Sequence, residues 1–248
     1  MVTILFLFGL LIGSFLNVVI HRLPRGESLL LPGSRCITCG RSLRAWELVP
    51  IVSYLAQLGR CRGCGENISW RYPLNELATG VLFALIYSAI GFTLAGLGAA
   101  IFACLLVVVA WIDVDYHIIP DLITFPGLII GLLLAFLQGW SMAANSLWGM
   151  GLLGGLLLLV AVLSQGGMGG GDIKLAAVMG AFLGWKLGLI ALLLSFLAGS
   201  LAGLGSILFL GKTRKDAIPF GPFLALGGLV SLLLGESILH MYLRLLIP

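Results

Sequence analysis

The sequence predicts an all-α polytopic membrane protein with about eight transmembrane helices and one small four-cysteine domain between helices 1 and 2. Three observations carry this. First, the 248 residues are 60% hydrophobic and only 10% charged, with a mean hydropathy of +1.14, whereas soluble domains carry about 25% charged residues. Second, from Tyr72 to Gly211 the only charged side chains are Glu76, Asp113, Asp115, Asp121, Asp172, Lys174 and Lys186. Third, four of the five cysteines fall in the one long polar stretch, residues 21–74.

A bilayer-crossing helix needs about 20 apolar residues. Apolar runs bounded by Gly, Pro or charge place spans at 2–20, 75–92, 95–112, 122–139, 146–164, 173–185, 187–210 and 221–243. The sixth is short, and only "GWKLG" separates it from the seventh. The first run has no basic residue before it and "HRLPRGES" after it, the reverse of a secretory signal, so it reads as a retained helix. The domain organisation predicted is a first transmembrane helix at 1–20, a cytoplasmic four-cysteine domain at 21–74, and a seven-helix domain at 75–248.

Charge sets the orientation. With the N-terminus outside, the inner segments 21–74, 113–121, 165–174 and 211–220 hold twelve of the fourteen Lys and Arg residues; Lys186 and Arg244 alone fall outside. The positive-inside rule favours this topology over its inverse. The arginines thus serve as topology signals, and the net charge of +4 is no argument for a nucleic-acid partner.

The polar segment has few apolar residues with which to build a core, and a unit of its size needs a staple. "CITCG" at 36–40 and "CRGCG" at 61–65 supply one: Cys36, Cys39, Cys61 and Cys64 in a C-x2-C-x21-C-x2-C pattern. The continuations "CGRSL" and "CGENI" indicate two related knuckles. Four thiolates so spaced suit structural zinc, and a closed four-thiolate site leaves no position for water or substrate. Paired disulfides, or buried or redox-active thiols, are the alternatives; a reducing cytoplasm disfavours the first. Cys104 sits mid-span as a packing residue.

Carboxylates at membrane depth are costly and point to function. Asp113 ends the third span and Asp172 follows the fifth. Two crossings return the chain to one face, so both acids lie at the cytoplasmic rim, where helix packing can join them. Held face to face, two such groups share one proton. The charged member then acts as general base while the neutral one polarises a carbonyl, which is aspartic-protease chemistry. Gly169, Gly170 and Gly171 before Asp172 offer a floor for an extended substrate backbone, or φ values closed to other residues. Asp115 reads as a solvated interfacial acid and Asp121 as a cap on the fourth span. Lys174 reads as a topology charge beside the dyad, His21 and His117 as interfacial polar groups, and Asn17 and Ser14 as interhelical hydrogen-bonding groups. Glu27, Glu47 and Glu66 read as ordinary solvated acids.

These residues resemble a known family. The stretch from Gly169 to Asp172 is similar to the G-x-G-D signature of membrane aspartic proteases. "GSFLNVVIHRLPRGES" at 13–28, the paired C-x-x-C motifs, "ISWRYPLNE" at 68–76 and "IDVDYHIIPD" at 112–121 narrow the resemblance to bacterial type IV prepilin peptidases, leader peptidases that are also N-methyltransferases. Asn75 departs from the commoner valine. The resemblance implies cleavage of the leader from type IV prepilins and pseudopilins at the cytoplasmic face of the bacterial inner membrane. It also implies N-methylation of the new N-terminus with S-adenosylmethionine as donor. Counting back from Asp121, it assigns Asp113 rather than Asp115 as partner of Asp172. No glycine-rich nucleotide loop marks a donor pocket. A transporter or proton channel using Asp113 and Asp172 as relays is the alternative from another class; it predicts acids at mid-membrane, not at span ends.

Overall fold

A computed structural model describes residues 1–165, 167–210 and 218–246. Lys212, Arg214 and Lys215, and most of the inner segment expected at 211–220, lie outside the described residues. The chain packs as two compact units, Met1–Gly91 and Phe92–Pro248.

The first unit contains α1 (Val2–Arg22), the short α2 (Val52–Ala56) and α3 (Arg71–Ile90). α1 and α3 lie against each other through small residues. A Cβ on Gly9 would sit 2.8 Å from the Gly80 Cα, and one on Gly13 the same distance from the Glu76 Cα. Such close backbone approach is the means by which helices associate in lipid. Toward the polar end the seam becomes hydrogen-bonded: Asn75 Nδ2 donates to Asn17 Oδ1 (2.9 Å) and to the Gly13 carbonyl (3.3 Å), and Asn17 Nδ2 donates to the Tyr72 carbonyl (3.2 Å). The interhelical role expected of Asn17 is thus met.

Between these helices the polar segment is an internal repeat with an offset of 25 positions. In the first half Cys36 N–H donates to Arg41 O, Gly40 N–H to Cys36 O, and Leu43 N–H to Ser34 O. In the second, Cys61 N–H donates to Glu66 O, Gly65 N–H to Cys61 O, and Ile68 N–H to Gly59 O. Gly40 (φ 68°) and Gly65 (φ 74°) take the left-handed turn that each knuckle needs. Glu47, expected to be solvated, is 5% exposed. Its carboxylate accepts from Arg41 Nη2 (2.6 Å) and from Arg44 N–H (2.8 Å), because a buried charge must find partners.

The second unit holds α4 (Leu94–Tyr116), α5 (Asp121–Gln138), α6 (Trp140–Leu163), α7 (Gly170–Leu210) and α8 (Gly221–Leu246). Among the described residues seven helices are long and apolar enough to cross a membrane. One of them is two of the expected spans joined. α7 has 41 residues, about 60 Å if straight, twice the roughly 30 Å hydrocarbon core. Gly184, at φ 70° and ψ −176°, breaks it, and the second arm returns along its neighbours. Gly180 and Gly184 pack on Gly149 of α6, whereas Gly188 packs back on Leu153. Ser231 Oγ of α8 donates to the Leu187 carbonyl (2.6 Å), and nearer the middle of that arm the Phe196 and Phe220 rings lie 5.3 Å apart. The two arms correspond to the expected spans 173–185 and 187–210. The turn takes glycine because Asn145 occupies the space a Cβ at 184 would need.

Candidate active site and metal centre

Three helix ends of the second unit converge. Asp113 lies in the last turn of α4 and is 6% exposed. The N-terminus of α8 meets it: Gly221 N–H donates to Asp113 Oδ2 over 2.8 Å. A Cβ on Gly221 would come within 2.7 Å of that oxygen and 3.0 Å of Cβ and Cγ, so residue 221 has room for hydrogen only. Asp172, half-buried, sits in the first turn of α7 with its N–H on the Gly169 carbonyl (3.1 Å). The segment that leaves Asp113 packs on the first turn of α7, with Ile119 Cβ 2.8 Å from where a Cβ on Gly171 would stand, so the two acids lie at the same end of the helices. Asp115, two positions on from Asp113, is exposed, since residues i and i+2 face different sides of a helix.

The three glycines have three different surroundings. A Cβ on Gly169 would stand 3.2 Å from Asp172 Oδ2, one on Gly171 would stand 2.8 Å from Ile119 Cβ, and one on Gly170 would meet nothing within 4 Å. None has a positive φ, so the expectation of unusual backbone angles is corrected: Gly171 is there for close packing, and Gly170 borders open space.

One further sequence reading is corrected. Asp121 is the first residue of α5 rather than its cap; Pro120 occupies the cap position and no side chain bonds the helix end. The Asp121 carboxylate instead pairs with Lys174 (2.5 Å), so Lys174 is an ion-pair partner as well as a basic charge. Gly221 opens the last apolar run of the sequence; its partner, 108 positions earlier, leaves no local signal there.

In the first unit the Sγ atoms of Cys36, Cys39, Cys61 and Cys64 all lie within 4.8 Å of one another. Cys36 and Cys64 are 3.8 Å apart, far beyond the 2.05 Å or so of a disulfide. A tetrahedral ion bonded to thiolates at about 2.3 Å would separate them by about 3.8 Å. The cluster therefore fits a tetrahedral metal, and all four cysteines are free thiols. Backbone N–H groups of Cys64 and Gly63 bring the Cys61 thiol down to about 6, ready to serve as thiolate. A Cβ on Gly63 would meet Arg41 Nε at 3.0 Å and Cys39 Sγ at 3.6 Å, so the guanidinium lies against the cluster while its other end holds Glu47. Hydrogen bonding from Arg41 and then Arg44 keeps the Glu47 carboxyl below the usual range.

Residues 7–90 match the bacterial peptidase A24 N-terminal domain, and residues 100–204 match the type IV leader peptidase family. Among curated proteins, the chain is 38% identical to a prepilin leader peptidase/N-methyltransferase of Bacillus subtilis over 99% of both chains. It is 40% identical to one from Aeromonas hydrophila, over 97% of this chain and 93% of that one. It is 35% identical to one from Pseudomonas aeruginosa, over 96% and 92%. No solved structure matches.

Proposed function

The chain belongs to the type IV leader peptidase family, and on that footing we propose that it removes the leader from type IV prepilins or pseudopilins and N-methylates the residue so exposed. The relay-channel alternative gives way to this family assignment.

In this reading Asp113 and Asp172 are the catalytic pair. The observation that carries it is the burial of Asp113 against Gly221 and the packing of the segment that follows it, through Ile119, on the first turn of α7 beside Asp172, while Asp115 is exposed. With one proton shared, the charged carboxylate takes a proton from water. The hydroxide so formed bonds to the scissile carbonyl carbon as the protonated carboxyl donates to the carbonyl oxygen. The tetrahedral adduct collapses when the departing nitrogen receives the proton held by the base. Gly170, bordering open space next to the acid, is where an extended substrate backbone can lie.

Cys36, Cys39, Cys61 and Cys64 hold zinc in this reading, and the metal's contribution is a cross-link between the two knuckles of a domain spanning 21–74. S-adenosylmethionine is the methyl donor. The distribution of Lys and Arg along the sequence supports a location in the bacterial inner membrane with the acids and the metal site facing the cytoplasm. The test is to incubate the purified full chain with a prepilin, with and without S-adenosylmethionine, and follow mass. Leader loss should need no donor. A further gain of one methyl group should need it.

A further inference from the structure

We propose that the Lys174–Asp121 ion pair is a positioning latch for the two carboxylates, fastening the helix that begins beside Asp172 to the chain segment that leaves Asp113. The inference rests on the reading of Asp113 and Asp172 as the reacting pair.

The connection is short. From Asp113, α4 runs three more residues to Tyr116; His117 turns the chain in the left-handed region (φ 54°), and α5 starts at Asp121. This segment is fastened to the first turn of α7 at two points. Ile119 packs where a Cβ on Gly171 would be, and Asp121 Oδ1 accepts from Lys174 Nζ at 2.5 Å. Lys174 also stands over the Phe125 ring, 5.4 Å from its centroid, which holds the ammonium over the first turn of α5. Each fastening joins a residue within eight positions of Asp113 to one within two positions of Asp172. Together they set where the two helix ends lie relative to each other.

The pair's exposure decides what kind of role it has. The side chains are 41% and 55% exposed, and ion pairs so placed contribute little to stability. Lys174 is two positions from Asp172, so helix geometry turns the two side chains apart and leaves the ammonium to Asp121. What the pair supplies is registration, and misplacement of reacting groups by about 1 Å can cost about 100-fold in rate.

The test measures kcat and KM for prepilin cleavage by the full chain carrying Lys174→Met, Asp121→Asn, both together, or Lys174→Arg. The latch predicts that each single neutral variant lowers kcat by about 10-fold or more with KM, melting midpoint and the shape of the pH profile unchanged. The double variant should be no worse than the worse single, since one broken latch cannot be broken twice. Lys174→Arg, which keeps charge and reach, should recover most of the rate. Unchanged kcat in the singles, or additive losses, would overturn the proposal. So would pH profiles shifted in opposite directions by the two singles, because Lys174 would then be acting on the charge of the dyad. A collapsed melting midpoint in both singles overturns it too, making the pair a prop of the fold. Cleavage that survives Asp113→Asn or Asp172→Asn is a separate failure, that of the dyad reading itself.

Discussion

Gly221 donates its backbone N–H to Asp113 across 108 positions of sequence, and it does so from a distance that leaves no space for a side chain at 221. An acid at a membrane rim is thereby fixed by main chain rather than by a mobile partner. Gly221→Ala forces the Asp113 carboxylate to move, and cleavage should fall by about 100-fold. Gly170→Ala, with nothing near its Cβ, should leave the melting midpoint unchanged. Steady-state cleavage of a prepilin for the first, and thermal unfolding of both in detergent, check the contrast.

Gly171 makes a sharper case because its neighbour is a side chain. Gly171→Ala should reduce cleavage through the collision with Ile119 Cβ at 2.8 Å. Ile119→Gly combined with it should restore part of the loss, since the colliding Cβ is then removed. A double-mutant cycle on kcat reads this coupling directly.

For the metal centre, Arg41 lies against four thiolates whose ion would leave a net negative cluster. Arg41→Gln should weaken metal binding by about 10- to 100-fold, as outer-shell changes do, with the four-thiolate cobalt spectrum unchanged in shape. Acid should release the metal. Ligation requires thiolates, so affinity falls as pH falls. Competition with a chelator from pH 8 downward measures both effects.

Asn75, where the family resemblance leads one to expect valine, tests the packing of α1 on α3. Its Nδ2 makes two interhelical hydrogen bonds, but its buried Oδ1 has no partner. Asn75→Val removes the gain and the orphan together, so stability should change by no more than about 1 kcal/mol. Asn75→Asp, which puts a second carboxylate next to Glu76, should destabilise by several times that amount. Unfolding of the two variants in matched detergent separates the cases.

Much of this arrangement was legible in the sequence, and the parts that were not share a cause. Among the described residues, apolar runs located every long helix, including the two arms of α7, but helix ends were misplaced by several residues. α3 begins at Arg71 and α6 at Trp140, not at 75 and 146, because hydropathy marks the hydrocarbon layer while helical hydrogen bonding continues into the interface. The cysteine quartet was readable because its spacing is local and repeated. Lys174–Asp121, Arg41–Glu47 and Gly221–Asp113 were not, since charge and turn propensity say only that a residue needs a partner. Glu47 looked solvated for the same reason: nothing adjacent in sequence announced that Arg44 and Arg41 would enclose it.

The most direct measurement of the central claim is mass analysis of a prepilin after incubation with the purified chain carrying Asp113→Asn, Asp172→Asn or Asp115→Asn. Loss of leader removal in the first two variants, with cleavage retained in the third, is the outcome expected. Leader removal by either of the first two, or its loss in Asp115→Asn alone, would contradict the account.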